Sequence, residues 1–351
     1  MSDIAARAGT STGVVSVTLN GARSKTLRVS DATRERVARA AEELGYRRDP
    51  SARALVTGRT QVIGLMLPHI ESFAAADPFY SVVTAGVAAV ASRRGYNLML
   101  YTAVAEEEGQ RAAENVDRRV DGLVLFSPPD DTPLFEECER QGIRVVSLLG
   151  RPEIAPHHVG SDDYEGGRLA TEHLLELGHR RIAHLRGNPD FKTTGPRERA
   201  YLDALFAASV PADPALIVEG GFSRHKSRAS TEALMALPAS QRPTAIFASN
   251  DLSAHGAIDA IGAAGLRVPH DVSVVGYDDT WYAAVVHPAL TTVAMDVDAL
   301  GRRAAELLID ALELDESGAD SREARPVLPV TLTVRDSTAP PPRSLEVPRS
   351  P

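Results

Sequence analysis

The sequence predicts a small all-α helix-turn-helix domain followed by an α/β body built as two doubly wound parallel-sheet lobes. Three observations carry this. In residues 1–47, apolar positions recur every three or four residues and are punctuated by Gly and Asn. From Val62 onward, short continuous apolar runs alternate with longer helical segments. The charge is split: residues 1–60 hold 11 Arg/Lys against 6 Asp/Glu, a balance of +5, while the remainder holds 27 against 41, or −14. A basic head on an acidic body suggests that only the head meets a polyanion.

In the head, "SDIAARA" places Ile4, Ala5 and Ala8 on one helical stripe, with Ser2 as its expected N-cap. Gly9 ends that helix in the left-handed conformation. Ser11 caps a second helix that runs to Leu19, and Asn20-Gly21 closes it. Val15 and Leu19 can then pack on Ile4, Ala5 and Ala8. Ser11, Thr12, Gly13, Ser16 and Asn20 are left on the exposed face. Ser30 caps a third helix, "DATRERVARAAEEL", with Val37, Ala40, Ala41 and Leu44 inward and Gly45 at its end. The stretch "GTSTG" also spells G-x-S-x-G, the pattern that exposes a nucleophilic serine in hydrolases. That turn needs a buried strand before it, and ten residues of helical text leave no room for one.

In the body, the strand candidates are 62–67, 97–102, 122–126, 144–149, 181–185, 245–249, 272–277 and 330–334. Helical segments at 79–94, 109–118, 165–178, 196–208, 226–237, 251–265 and 296–313 lie between them. So many strands would overload one sheet, which favours two. The chain has 351 residues, enough for two or three domains and a sizeable core. No apolar run reaches the roughly 18 residues of a spanning helix, and the start lacks an apolar signal core, which points to the cytoplasm. The one cysteine, Cys138, excludes an internal disulfide and reads as a buried, inert thiol. His157-His158, His179 and His184 lack a third metal ligand and read as surface or capping groups. There is no phosphate loop, no dinucleotide fingerprint and no HExxH, so neither a cofactor nor a catalytic site is expected.

"SDIAARAGTSTGVVSVTLNG", followed by "RVSDATRERVARAAEELGYRRDPSARALVTGRTQVIGLMLP", resembles the start of a LacI/GalR-type transcriptional repressor. The resemblance covers about residues 2–338. It implies a DNA-binding domain at 1–47, a hinge at 48–60, a ligand-binding and dimerisation body of the type I periplasmic binding protein kind at 61–338, and a disordered tail at 339–351. The body would divide into a first lobe of 61–157 with 289–319 and a second of 158–288 with 320–338, joined by three crossings. The second helix would enter the major groove, adding Val17 to the exposed residues above. The hinge helices of a homodimer would enter the minor groove, where Leu55, flanked by Ala52 and Arg53, would pry open the central base step of double-stranded operator DNA.

This chain departs from the family in three ways. Val17 stands where an arginine is usual, and valine can only touch a thymine methyl. Thr12 and Gly13 replace larger side chains, so the half-site is expected to differ from common operators. Met1 occupies an apolar position of the motif, which suggests that the native start lies upstream.

The resemblance also places a small-molecule effector in the cleft between the lobes, which would close on it. Polar and aromatic residues after strand ends are the candidates: Phe79, Tyr80, Ser127, Arg151, Asp162, Arg197, Phe222, Asn250, Asp278 and Trp281. Asp163, Asp251 and Asp279 stand beside three of these, and the caps of helices compete for Asp162, Asp251 and Asp279. Carboxylates, an amide, one arginine and aromatic rings suit the hydroxyls and apolar face of a neutral sugar, although purines and phosphoproteins also serve the family. The expected function is that of a ligand-responsive repressor of sugar-utilisation genes, binding a palindrome as a homodimer. A transport-type sugar-binding protein would account for the body but not for the basic head.

Overall fold

The computed structural model describes residues 1–20, 28–47, 54, 57–67, 77–101, 118–128, 134–150, 152–153, 155, 157–317 and 324–342. The head holds three helices, α1 (Ser2–Ala8), α2 (Thr12–Asn20) and α3 (Asp31–Glu43). Ile4, Ala5, Ala8, Val15, Leu19, Val37, Ala40 and Ala41 form its core. Gly9 has φ 61°, the left-handed turn between α1 and α2. The Val14 N–H donates to Ser11 Oγ at 3.3 Å, so Ser11 caps α2, and no strand precedes it. Ser30 likewise accepts from the Thr33 N–H.

Two expectations in the head are corrected. Met1, not Ser2, is the N-cap residue of α1, and no side chain caps that helix. Leu44 is 49 % exposed, because it follows the last helical residue as the chain turns outward; Tyr46 packs against the core instead.

The body forms two six-stranded sheets. The first runs β11 (Val327–Leu328), β5 (His157–Ser161), β4 (Arg144–Leu148), β3 (Gly122–Phe126), β1 (Val62–Met66), β2 (Asn97–Tyr101). The second runs β12 (Val330–Thr333), β10 (Thr291–Met295), β9 (Ser273–Asp278), β8 (Ala245–Ala248), β6 (Ile182–Arg186), β7 (Ile217–Glu219). Every pairing is parallel except β10 with β12. Helices α4 (Pro78–Arg93), α5 (Leu134–Gln141) and α11 (Val297–Ser317) serve the first lobe. Helices α6 (Asp163–Glu176), α7 (Thr194–Ala207), α8 (Arg224–Met235), α9 (Asp251–Ala263) and α10 (Trp281–Val285) serve the second. The expected helix at 109–118 lies outside the described residues except at Arg118, which sits in a turn.

Strand pairing relocates the crossings. β5 pairs with β4, so 157–161 belongs to the first lobe; β10 pairs with β9, so 291–295 belongs to the second. The chain therefore crosses near 162, 296 and 329, the last between the adjacent strands β11 and β12. The tail is also held further than expected. The Ala339 N–H donates to Ser273 Oγ at 3.0 Å, and its carbonyl accepts from the same hydroxyl at 2.9 Å. Residues 343–351 lie outside the described residues.

The four histidines read as surface groups are buried. His184 is stacked between Tyr201 and Phe247, with ring centroids 5.1 and 4.7 Å away, and burial pushes it down to about 4. Cys138 is buried on α5, and burial pushes its thiol up to about 12. No helix among the described residues is long and apolar enough to cross a membrane.

The body's hydrophobic centre runs through both lobes, and α11 packs on α4 at its first-lobe end. The two helices meet at glycines. A Cβ on Gly301 would lie 2.3 Å from the Val83 carbonyl oxygen, and one on Gly86 would lie 2.5 Å from that of Asp298. Both obstacles are backbone, which cannot swing aside. We expect Gly301→Ala to lower unfolding free energy by about 1–3 kcal/mol in denaturant titrations; an unchanged midpoint would show that the helices separate freely.

Candidate functional site

The carboxyl ends of the two sheets face each other, and the predicted cleft lies between them. The first lobe contributes Asp77, Phe79, Tyr80, Phe126 and Leu149; the second contributes Phe191, Thr193, Arg197, Phe222, Asn250 and Asp278. Phe126, Leu149, Asn250 and Asp278 lie at or within two residues of a strand's carboxyl end, and the others lie in the loops and helices that follow, where parallel sheets leave chain free to bind. Aromatic rings form a continuous wall across the cleft. Phe79, Tyr80 and Phe126 meet with centroids 5.4–5.7 Å apart, Phe126 reaches Phe191 at 6.4 Å, and Phe191 reaches Phe222 at 5.5 Å.

Arg197 is the floor of the site. It is 3 % exposed and lies on α7. Its Nε donates to Asp163 Oδ1 at 2.8 Å, and Nη2 lies 2.7 Å from the same oxygen. Nη1 donates to the Ser249 carbonyl, and the guanidinium carbon lies 3.5 Å from the centre of the Tyr277 ring. The glycines of "DYEGG" make this approach possible. A Cβ on Gly166 would lie 2.2 Å from the Tyr277 hydroxyl, and one on Gly167 would lie 2.7 Å from the Arg197 carbonyl oxygen.

Asn250 caps α9 with Oδ1, which accepts from the Ser253 N–H at 2.9 Å; its Nδ2 has no hydrogen-bond partner among the described residues. The Asp278 carboxylate is 5 % exposed and likewise has no hydrogen-bond partner among the described residues. Burial, then repulsion by Asp251, holds it well above the usual carboxylate range. Asp77 caps α4 by accepting from the Phe79 N–H at 3.0 Å, and burial raises it to about 6. Leu149, Phe222 and Asp278 have φ of 55°, 56° and 112°. Such backbone is costly for side-chain-bearing residues and fixes how these three present themselves to the cleft.

The structure therefore brings together Phe79, Tyr80, Arg197, Phe222, Asn250 and Asp278 from the sequence-based set. It does not bring in three others. Asp162 is exposed and caps α6 by accepting from the Glu165 N–H at 3.0 Å; its neighbour Asp163 is the residue that turns inward. Trp281 is 62 % exposed at the start of α10 and is not among the residues that line the cleft. Ser127 is buried, but it is not among the lining residues. Arg151 lies outside the described residues. Asp251 and Asp279 are internal, with Asp251 accepting from Thr292 Oγ1 at 2.5 Å and Asp279 pairing with Arg335 at 2.6 Å. Sequence reasoning missed Asp77, Phe126, Leu149, Phe191 and Thr193. Phe126 and Leu149 end or follow predicted strands, so the strand-end rule could have found them.

In the head, Ser11, Thr12 and Gly13 are exposed at the start of α2, and Ser16 and Val17 are half-buried behind them. Asn20 ends the helix, with its side chain outside the described residues. Ala52, Arg53 and Leu55 also lie outside them. At the end of the hinge, the Gly58 N–H donates to the Ala54 carbonyl at 2.8 Å, a helical bond. The hinge then enters the first lobe under restraint. Asp121 accepts from the Thr60 N–H at 2.7 Å and the Gln61 N–H at 2.9 Å, and Arg59 donates to the Leu312 carbonyl at 2.6 Å.

Comparison with known proteins now bears on this arrangement. The model of bacterial regulatory proteins of the lacI family matches residues 1–49, and that of the periplasmic binding protein-like domain matches 171–338. The HTH-type transcriptional regulator CelR of Thermobifida fusca is 37 % identical over 338 residues, covering 95 % of this chain and 96 % of CelR. The chain belongs to the LacI family. Within that family, the HTH-type transcriptional repressor PurR of Aliivibrio fischeri (strain ATCC 700601 / ES114) is 33 % identical over 315 residues, 89 % of this chain and 91 % of PurR. A solved CelR–cellobiose complex superposes with a TM-score of 0.71 at 33 % identity, over 95 % of this chain and 98 % of that one. The lac repressor dimer bound to operator and an anti-inducer gives 0.81 at 29 % identity, over 96 % and 98 %. This LacI-family protein is thus a ligand-responsive transcriptional regulator and not an enzyme.

The raised acids make stability depend on pH. Asp77 and Asp251, the latter lifted to about 7 by burial, hold protons in the folded chain that they lose in the unfolded one. Between about pH 4 and 7 the folded chain binds more protons, so stability falls as pH rises through that window. Asp278, also raised by burial, adds to the same trend. We expect Asp278→Asn to stabilise the protein at pH 8 but hardly at pH 4, as read by denaturant unfolding. An equal change at both values would contradict the buried, unpaired carboxylate.

Proposed function

We propose that this regulator is a homodimeric repressor of sugar-utilisation genes that binds a palindromic operator and takes a neutral sugar as its effector. The observation that carries the sugar is the cleft: an aromatic wall beside Asn250 Nδ2 and the Asp278 carboxylate, which have no hydrogen-bond partner among the described residues, over an arginine already matched by Asp163. Hydroxyls can donate to the Asp278 carboxylate and accept from Asn250 Nδ2, while the rings cover the apolar face of a pyranose. An anion would meet Asp77 and Asp278 with no unmatched cation in the chamber's lining. The cellobiose complex of CelR supports the same class.

Operator binding is supported by the head. The α2 start exposes Ser11, Thr12 and Gly13 with free backbone amides for a phosphate, and Ser16 and Val17 stand next along the face that would meet base edges. Asn20 completes that face, and Leu55, with Ala52 and Arg53, is the minor-groove wedge. A two-fold dimer pairs two such heads with two half-sites, as in the operator-bound lac repressor dimer. The protein works on DNA in the cytoplasm. Because Asp121 and Leu312 fasten residues 59–61 to the first lobe, any lobe rotation moves the hinge. A sugar favouring one lobe arrangement then shifts DNA affinity by its differential affinity.

Fluorescence anisotropy with palindromes from the DNA flanking its own gene, at low and high salt, tests this. We expect tight, salt-sensitive binding that changes when cellobiose, glucose or another neutral sugar is added. The absence of specific binding to any palindrome would overturn the reading. Leu55→Ala should weaken operator binding about tenfold while the body unfolds at the same temperature; unchanged affinity would remove the wedge.

A further inference from the structure

The second helix of the head lacks the side chains that read guanine and cytosine. From Thr12 to Asn20 it runs TGVVSVTLN, with no Arg, Lys, Asp or Glu. Cations pair with guanine in the major groove and carboxylates with cytosine, so α2 has neither device. Its one amide belongs to Asn20, the last residue, and an amide suits adenine.

The exposed side of α2 is small and bare. Val15 and Leu19 are buried in the head's core. Val17 stands two residues from each, about 200° around the helix, at the centre of the opposite face. Gly13 stands one turn before Val17 on that face. Among the described residues, a Cβ on Gly13 would meet only Ser11 Oγ, at 3.8 Å. Glycine weakens a helix, and close packing does not call for it here. What Gly13 provides is an uncovered approach to Val17.

The chemistry of that face decides which base fits. The Thr12 and Ser16 hydroxyls can bond to any base edge, so they choose little. The Val17 side chain makes no hydrogen bond. A guanine, cytosine or adenine pressed against it would give up water at a ring or amino nitrogen or a carbonyl and gain no partner. Thymine presents a methyl group, and valine is the matching surface.

We propose that Val17 reads a thymine methyl in each half-site, reached past Gly13, so that the base pair it meets is A·T. This rests on the operator reading above and names the pair that α2 selects.

The test is anisotropy with the full-length protein and a palindrome that it has selected from random-sequence duplexes. Each half-site thymine is replaced in turn, in both half-sites together, by deoxyuridine, which pairs as thymine does but lacks the methyl. At one position the replacement should weaken binding about tenfold, a few-fold for each lost methyl contact. Val17→Ala should weaken binding to the thymine operator by a similar factor and remove the response at that position. Gly13→Leu, which fills the approach, should remove it too. Responses at other thymines should persist in Val17→Ala, which shows that its head still docks. Insensitivity to deoxyuridine at every position, or a selected half-site without thymine, would overturn the methyl reading and leave operator binding standing. A response that survives Val17→Ala would overturn the assignment to Val17, and one that survives Gly13→Leu would overturn the approach past Gly13. Failure to select any palindrome would overturn the operator reading, and this proposal with it.

Discussion

The cleft depends on one buried cation. Arg197 is surrounded by protein, and an isolated guanidinium there would cost several kcal/mol in lost hydration. Asp163 from α6, the Ser249 carbonyl after β8 and the Tyr277 ring on β9 all turn toward it. One side chain thereby fixes three loops at the carboxyl end of the second sheet. Because its charge is matched internally, the remaining cleft groups face the ligand with a surplus of acceptors. That surplus, more than any single contact, is what the sugar proposal rests on.

A second constraint links cleft to head. The chain crosses between lobes three times, near 162, 296 and 329, and each crossing lies beside a strand end or a helix start that borders the cleft. Residues 59–61, at the end of the hinge, are fastened to the first lobe through Asp121 and Leu312. In the proposed mechanism, lobe rotation about the crossings carries the hinge with the first lobe, and no contact between the head and the ligand is required.

Much of this was legible in the sequence because the signals were local. Continuous apolar runs marked eight strands, and Gly9, Ser11 and Ser30 marked the turns and caps of the head. What escaped depended on partners far away in sequence. "HHVGS" and "TTVAM" become strands through pairing with β4 and β9, and that pairing decides which lobe owns them. Asp162 and Asp163 are adjacent acids, and only the approach of Arg197 separates the cap from the buried partner. Trp281 follows a strand end as the true cleft residues do, but the tight Asp278-Asp279 turn sends it outward. Phe191 and Thr193 precede α7 in a loop with no periodic signal, so nothing local marked them. The exposed face of α2 could be read from spacing, while its role on DNA and that of Leu55 rest on resemblance.

The central claim is that sugar and operator bind two sites joined by one lobe equilibrium. Linkage makes this directly measurable: the factor by which saturating sugar changes operator affinity must equal the factor by which saturating operator changes sugar affinity. The account predicts equal factors of tenfold or more, determined by titrating each ligand in the presence and absence of the other. Tight binding of both ligands with factors of one would contradict it, because the cleft would then have no influence on the head.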